Sequence, residues 1–356
     1  MEKNRFKKLF NIEKIIIFCV LSFFLIFIGC KGKESPLNTQ LESGQIIEEL
    51  NRFMLINQDQ SSKLLGYSFI LFNDKGELWS AEGGFANIEK EIKFNKSTVI
   101  NVGELSQQFT ISGILKLYEE NKIDIEKEVS FYLPEFFEDS SDRLKKIGNL
   151  KISTIIKSLT GYTSISPKSL KNYVFDKDLK SYLEKLNPIY AEDVKYTESP
   201  LFIDLLGLVI QKISGKDFST FMDEEIFKPF MMISSTYSPE KKFKNVSLFY
   251  SIDPKIGEKI RLSSVIKGNL NILSPSTSMR SSSGDLARFY SLFLNGDSEN
   301  KFLSRDTINY CFTPVYQGQL DMEGFETGLG WQLTNTDIGY AGKAPFFIGS
   351  FITHSV

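Results

Sequence analysis

Near the start of the chain, Ile46, Ile47, Leu50, Phe53 and Met54 recur at helical spacing and predict an amphipathic helix. The period then changes. Tyr67 to Phe72 is an apolar run, Asn73-Asp74-Lys75-Gly76 carries turn residues, and Glu77 to Ala81 returns, which predicts a β-hairpin. Gly83-Gly84 is expected to end it. From Gln107 to Asn121 the positions Phe109, Ile111, Ile114, Leu115, Leu117 and Tyr118 predict a largely buried helix. The stretch from roughly 130 to 300 reads as helices and loops, with helices over 201–213, 218–227 and 284–295. Ser283 is the expected cap of the last, with Asp285 near its positive end. After Gly328, 329–333 and 346–353 read as strands. Strands near both ends of the chain around a helical middle predict an α+β fold. One antiparallel sheet of distant segments, flanked by helices, would stand beside a helical lobe.

The first residues follow a different pattern. Lys3, Arg5, Lys7, Lys8 and Lys14 form a basic region, and Ile15 to Gly29 is apolar apart from Ser22. That run is shorter than the ~20 residues a membrane-spanning helix needs, and it fits the apolar region of a signal peptide. It ends Phe27-Ile28-Gly29-Cys30, which resembles a lipobox. Residues 1–29 are therefore expected to be a lipoprotein signal peptide, although Phe27 stands where Leu is usual. Cys30 is the expected lipidation site, 30–43 a tether, and 44–356 the folded domain. The alternative is an uncleaved N-terminal anchor. Both readings put the body outside the cytoplasm, in the cell envelope, held to a membrane through the anchor.

Composition narrows the chemistry. With 42 basic and 44 acidic residues the net charge is −2, which argues against a nucleic-acid partner held by phosphate contacts. The single histidine, His354, lies two residues from the end, so Ser-His-Asp and Cys-His relays and His-rich zinc sites have almost nothing to draw on. No metal or other cofactor is expected. Of three cysteines, Cys19 falls in the signal and Cys30 at its end, so only Cys311 remains in the body. Among Ile308, Asn309, Tyr310 and Phe312 it is expected to be a buried, inert thiol.

Four stretches carry a resemblance. The first runs from Gly83-Gly84-Phe85-Ala86-Asn87 through Val102-Gly103 and Phe109-Thr110 to Tyr132-Leu133-Pro134-Glu135-Phe136. The second is Lys195-Tyr196-Thr197 followed by Leu206-Gly207 and Ile213-Ser214-Gly215-Lys216. The third is Gly284-Asp285-Leu286-Ala287-Arg288-Phe289, and the fourth Gly328-Leu329-Gly330-Trp331. In this order and spacing the chain resembles the serine β-lactamase and penicillin-binding-protein-like family, nearest the class C enzymes. The resemblance implies a fold in which a Ser-x-x-Lys pair opens the buried helix and attacks amide or ester carbonyls. A Tyr-x-Asn supplies a second proton-transfer group, and a Lys-Thr-Gly or His-x-Gly strand lines the far side.

At those places the chain departs from the pattern. Gly103 and Phe109-Thr110 set the register, which puts Glu104 where the serine is expected and Gln107 where the lysine is expected. The Tyr-x-Asn position reads Tyr196-Thr197-Glu198, and the His-x-Gly position reads Tyr340-Ala341-Gly342. Ser106 is two residues out of register, about 200° around a helix of 3.6 residues per turn. Ser238/Lys241, Ser264/Lys267 and Ser298/Lys301 also fit Ser-x-x-Lys, but about three such pairs are expected by chance in a chain this rich in both. Past Tyr340 there is room for one strand and no final helix, so the C-terminal strands and helix of the family are expected to be missing.

Losing nucleophile and base together implies a lipoprotein with a catalytically inactive serine-hydrolase-like domain, a pseudoenzyme that binds or interacts in the cell envelope. A cell-wall peptide or a protein is the expected partner. If the motif positions converge, Glu104, Glu198, Tyr196 and Tyr340 would form an acidic, aromatic pocket. Read without function, Glu104 is a helix N-terminal carboxylate and Tyr340 a strand aromatic. Three alternatives stay open. One is an active hydrolase of peptidoglycan-like peptides, amides or esters with Glu104 and Glu198 as paired carboxylates. Another is a serine hydrolase using Ser106, and the last a surface lipoprotein whose partner covers the incomplete sheet.

Overall fold

The structure is a computed structural model that describes residues 43–56, 66–73, 76–164, 173–189, 199–248, 250–252, 259–261, 274–295, 302–313, 326–333, 337–341 and 351–355. The expected signal peptide, Cys30, Tyr196, Glu198 and Gly342 lie outside these residues.

The amphipathic helix α1 spans Ser43–Ile56. It straddles the boundary of two units, Met1–Phe53 and Met54–Val356. The second unit opens with strands β1 (Gly66–Asn73) and β2 (Gly76–Asn87), paired antiparallel, with the short β3 (Ile92–Lys93) against β2. Contrary to expectation, Gly83-Gly84 does not end β2. Tyr67 lies opposite Gly83, and a Cβ there would meet the Tyr67 ring at 2.5 Å, so the absence of a side chain is what lets the ladder continue.

Next come β4 (Ile100–Asn101) and α2 (Leu105–Glu119), which starts two residues earlier than the apolar spacing suggests. Twelve of its fifteen residues are buried, so α2 forms the middle of the core. Short helices follow: α3 (Val129–Tyr132), α4 (Pro134–Phe137), α5 (Asp142–Gly148), α6 (Ile152–Ile156) and α7 (Phe175–Leu183). Helix α8 (Pro200–Ser214) begins with Pro at its first turn and ends at Gly215, whose left-handed φ of 69° is a conformation glycine adopts without strain. It crosses α2 where Gly113 leaves room for Ile210; a Cβ at 113 would meet the Ile210 side chain at 2.9 Å.

The expected helix over 218–227 divides into α9 (Phe218–Phe221) and one π-helical segment, Met222–Phe227. Strands β5 (Tyr250–Ile252) and β6 (Lys259–Arg261) pair, and β7 (Arg280–Ser281) pairs with β4. Helix α10 (Ser283–Asn295) includes Ser283, so the cap is Ser282, whose Oγ accepts from the Asp285 amide at 3.3 Å. Ser283 instead bonds Ser68 of β1 at 2.8 Å, tying α10 to the hairpin. The last elements are α11 (Arg305–Cys311), β8 (Glu326–Thr327), β9 (Gln332–Leu333), β10 (Asp337–Ala341) and β11 (Phe351–Ser355).

The α+β class is as expected; of the expected strand over 329–333 only 332–333 is strand, the described part of 346–353 lies in β11, and among the described residues the ladders do not join into one sheet. The hairpin with β3 is one three-stranded ladder, and β11-β10-β9-β8 another. Gly330, at φ 76°, and the buried Leu329 and Trp331 break the run expected as a strand. Gly330 lies against α2, where a Cβ would meet Ile111 at 2.8 Å. Aromatic side chains bind the layers, with Phe109 of α2 4.4 Å from Phe289 of α10 between ring centroids. Cys311 is a free, buried thiol, and burial pushes its pKa up to about 12, which agrees with the inert reading. Among the described residues, no helix is long and apolar enough to cross a membrane.

Candidate functional site

The candidate site is built on the first turn of α2, and the chain is led into that turn under tight control. The β4–β7 pair sets Asn101 opposite Arg280, and the Val102 amide donates to the Met279 carbonyl at 3.0 Å. Gly103 takes a left-handed φ of 56°, and its amide donates to Asn101 Oδ1 at 2.8 Å. A side chain at 103 would be strained, which accounts for the glycine in the motif. Glu104 then stands at the N-cap with helical backbone angles and a half-buried side chain. Its carbonyl accepts from the Gln107 amide at 3.0 Å, closing the first turn.

Glu104 and Gln107 are three residues apart and therefore share a helix face. Gln107 is only 4 % exposed, and no hydrogen bond among the described residues reaches its side-chain amide. Its neighbour Gln108 is equally buried but fully engaged: it accepts from the Tyr290 hydroxyl and donates to the Gly330 carbonyl at 3.4 Å.

Ser106 points elsewhere. Its side chain is fully buried, donates to the Gly103 carbonyl at 2.5 Å and accepts from the Met279 amide at 3.1 Å. The Tyr237 hydroxyl donates to the Ser106 carbonyl at 2.6 Å, and burial raises the Tyr237 pKa above the ordinary phenol range. Among the described residues no lysine, histidine or carboxylate bonds the Ser106 hydroxyl, so nothing there can take its proton. The Ser238/Lys241 pair is no better: Lys241 donates to the Ser235 carbonyl at 2.8 Å. Ser264/Lys267 and Ser298/Lys301 lie outside the described residues.

A buried polar knot holds the segment that carries Met279. Asp204 of α8, 1 % exposed, accepts from the Tyr173 hydroxyl at 2.7 Å, the Ser274 hydroxyl at 3.0 Å and the Ser276 amide at 2.9 Å. Burial, partly offset by these bonds, raises its pKa from 3.8 to about 6. Thr110 of α2 donates to the Pro275 carbonyl at 2.7 Å. Gly207 fits beneath Pro275, whose ring a Cβ would meet at 2.3 Å. Asp204, Tyr173 and Tyr237 carry no motif or period in the sequence; the lone Asp in the apolar run Leu201–Ile210 is the one signal there.

Of the expected site residues, the structure brings Glu104 and Gln107 together. Tyr340 sits in β10 opposite Ile352 of β11. Among the described residues, no group of three or more His, Cys, Asp or Glu side chains could hold a metal ion.

A family model described as Beta-lactamase matches residues 46–355. The chain is 22% identical over 205 residues to an N-acetylmuramyl-L-alanine amidase of Bacillus subtilis (strain 168), covering 53% of this chain and 46% of that protein. It is 23% identical over 290 residues to Protein flp of Staphylococcus aureus (strain MRSA252), covering 80% and 55%. The chain thus spans about half the length of these curated relatives. The octameric penicillin-binding protein homologue from Pyrococcus abyssi superposes with a TM-score of 0.70 at 18% identity, covering 87% of this chain and 70% of that one. A class C beta-lactamase gives 0.69 at 16%, covering 89% and 90%. FmtA from Staphylococcus aureus gives 0.66 at 18%, covering 93% and 86%. At these identities the likeness is one of fold.

Proposed function

The chain belongs to the beta-lactamase family, and from that premise we propose that it is a lipid-anchored protein of the cell envelope whose serine-hydrolase fold binds without acylating. The observation that carries this reading is the first turn of α2. Glu104 has no hydroxyl to acylate, Gln107 has no basic nitrogen, and the nearest hydroxyl, Ser106, is turned into the core and bonded on both sides. Nucleophile and base act as a unit in such sites, so losing both removes covalent chemistry rather than slowing it. The ligand class is a cell-wall peptide, in keeping with the named activity of the amidase relative. Anchoring rests on the lipobox-like Phe27-Ile28-Gly29-Cys30.

The test of the site is incubation of the full chain with a fluorescent penicillin, followed by denaturing electrophoresis. No label is expected to stay with the protein; covalent label on any serine overturns the reading. The test of the anchor is metabolic labelling with a radioactive fatty acid. Label is expected on the wild type and lost in Cys30→Ala, and an unlabelled wild type overturns that part.

A further inference from the structure

Strand β1 is out of place for its sequence. Tyr67-Ser68-Phe69-Ile70-Leu71-Phe72 is the kind of apolar and aromatic run that fits a strand buried on both faces. In the structure none of residues 66–72 is buried, and Phe69 is 48 % exposed. The face of Ser68 is tied to α10 through Ser283. The opposite face carries Tyr67, Phe69 and Leu71, with Ala81 and Trp79 of β2 beside them, and all five are half-buried or exposed. The Tyr67 and Phe69 rings lie 5.4 Å apart there. The edge is open as well. β1 is eight residues long, and among the described residues it pairs with β2 alone. Alternate residues of an antiparallel strand turn their N–H and C=O away from the neighbouring strand, and on β1 none of these meets a backbone partner among the described residues. Such an edge is normally blunted by charge or proline. Gly66–Asn73 carries neither, and its one irregularity, between Leu71 and Phe72, comes near the end.

We propose that the free edge of β1 pairs antiparallel with β1 of a second copy, making a symmetric dimer whose sheet runs β3-β2-β1-β1-β2-β3. The occupant follows from what the edge demands. Open N–H and C=O groups call for another strand, and the apolar face beside them calls for apolar side chains at every second position of that strand. β1 itself meets both demands. Under a two-fold axis it lies antiparallel to its own copy, with Tyr67, Phe69 and Leu71 of both copies on one side of the joined sheet. Centring the axis on Phe69 sets that ring against its own copy and Tyr67 against Leu71 of the second copy, all ahead of the irregularity. With no charged side chain in Gly66–Asn73, no like charges meet across the paired strands, although both copies carry the same net charge. The pairing does not depend on the chemistry of α2.

The test is the oligomeric state of the full chain in mild detergent, read by sedimentation over a range of protein concentrations. A dimer is expected for the wild type. Phe69→Lys and Phe69→Glu each set like charges face to face at the axis, and each is expected to raise the dimer dissociation constant at least about tenfold. An equal mixture of the two is expected to restore a mixed dimer, and melting curves report whether each variant folds. Directly opposed positions of an antiparallel pair lie within disulfide reach. Phe69→Cys is therefore expected to cross-link on oxidation at least about tenfold more than Phe131→Cys, a 66 % exposed position on α3. The oxidised wild type gives the background of the native cysteines. A monomeric wild type, a dimer that the folded charge variants leave unchanged, a mixture that stays monomeric, or equal cross-linking at 69 and 131 overturns the proposal. Slow amide exchange at alternate residues facing the free edge of β1 in a monomer would give the edge to another segment of this chain, and that overturns it too. Should the charge variants not fold, the comparison of cysteines at 69 and 131 decides alone.

Discussion

Two regions of the molecule are built from the same kinds of residue and treated in opposite ways. In the knot around Asp204, every polar group meets a partner: one carboxylate gathers a tyrosine hydroxyl, a serine hydroxyl and a backbone amide, and the segment it holds caps Ser106 through the Met279 amide. In the same turn of α2 as Ser106 but on another face, Glu104 and Gln107 stand three residues apart, and the Gln107 amide makes no hydrogen bond among the described residues. Buried polar groups stabilise a fold only when satisfied, so the first region is framework, whereas the Gln107 side chain adds no hydrogen bond to the fold among the described residues. Each prediction below either widens that difference or removes it.

The largest effect belongs to Asp204. Asp204→Ala deprives Tyr173, Ser274 and the Ser276 amide of their shared acceptor and is expected to lower unfolding free energy by about 3 kcal/mol, read by urea denaturation. The pH dependence has a definite sign. The folded-state pKa, about 6, lies above the unfolded value of 3.8, so the folded chain holds the proton more tightly. Stability from this group is fully present below about pH 4 and is lost as pH rises through about 6, on the order of 3 kcal/mol in all. Asp204→Asn keeps the shape, and it is expected to flatten that part of the pH profile. A profile unchanged in the Asn variant would place the titration elsewhere.

That region was nearly illegible in the sequence, and the reason is distance. Asp204 meets Tyr173 across 31 residues and Ser276 across 72, whereas periodicity reports only on neighbours along one element. The site turn was legible because Gly103 and Phe109-Thr110 frame it within eight residues, so replacements at 104 and 107 could be read in register. Misreadings had local causes of the same kind. Gly83 reads as a breaker, yet it is the gap a cross-strand Tyr67 ring requires. Of the adjacent Ser282 and Ser283, only geometry shows that the first caps α10 and the second reaches β1.

Smaller effects come from α2 itself. Gln108→Leu leaves the fully buried Tyr290 hydroxyl without its acceptor and is expected to cost about 2 kcal/mol. Ser106→Ala leaves the buried Met279 amide unpaired and is expected to cost about 1 kcal/mol, with no change in the absence of penicillin label. A Ser106→Ala chain that lost covalent labelling present in the wild type would contradict the framework role given to this serine.

The smallest expected effect is the most telling. Gln107→Leu replaces the Gln107 side chain by an apolar one of similar size, and no side-chain hydrogen bond among the described residues is lost. Stability is expected to stay level or rise by up to about 1 kcal/mol, measured by urea denaturation beside Gln108→Leu under the same conditions. The two substitutions are chemically identical and one residue apart on the same buried helix, so helix propensity and side-chain volume cancel in their difference. What remains is whether the amide has a partner in the folded protein. If Gln107→Leu were to cost as much as Gln108→Leu, the amide at 107 would be part of the framework, and the contrast between the bonded knot and the Gln107 side chain would disappear.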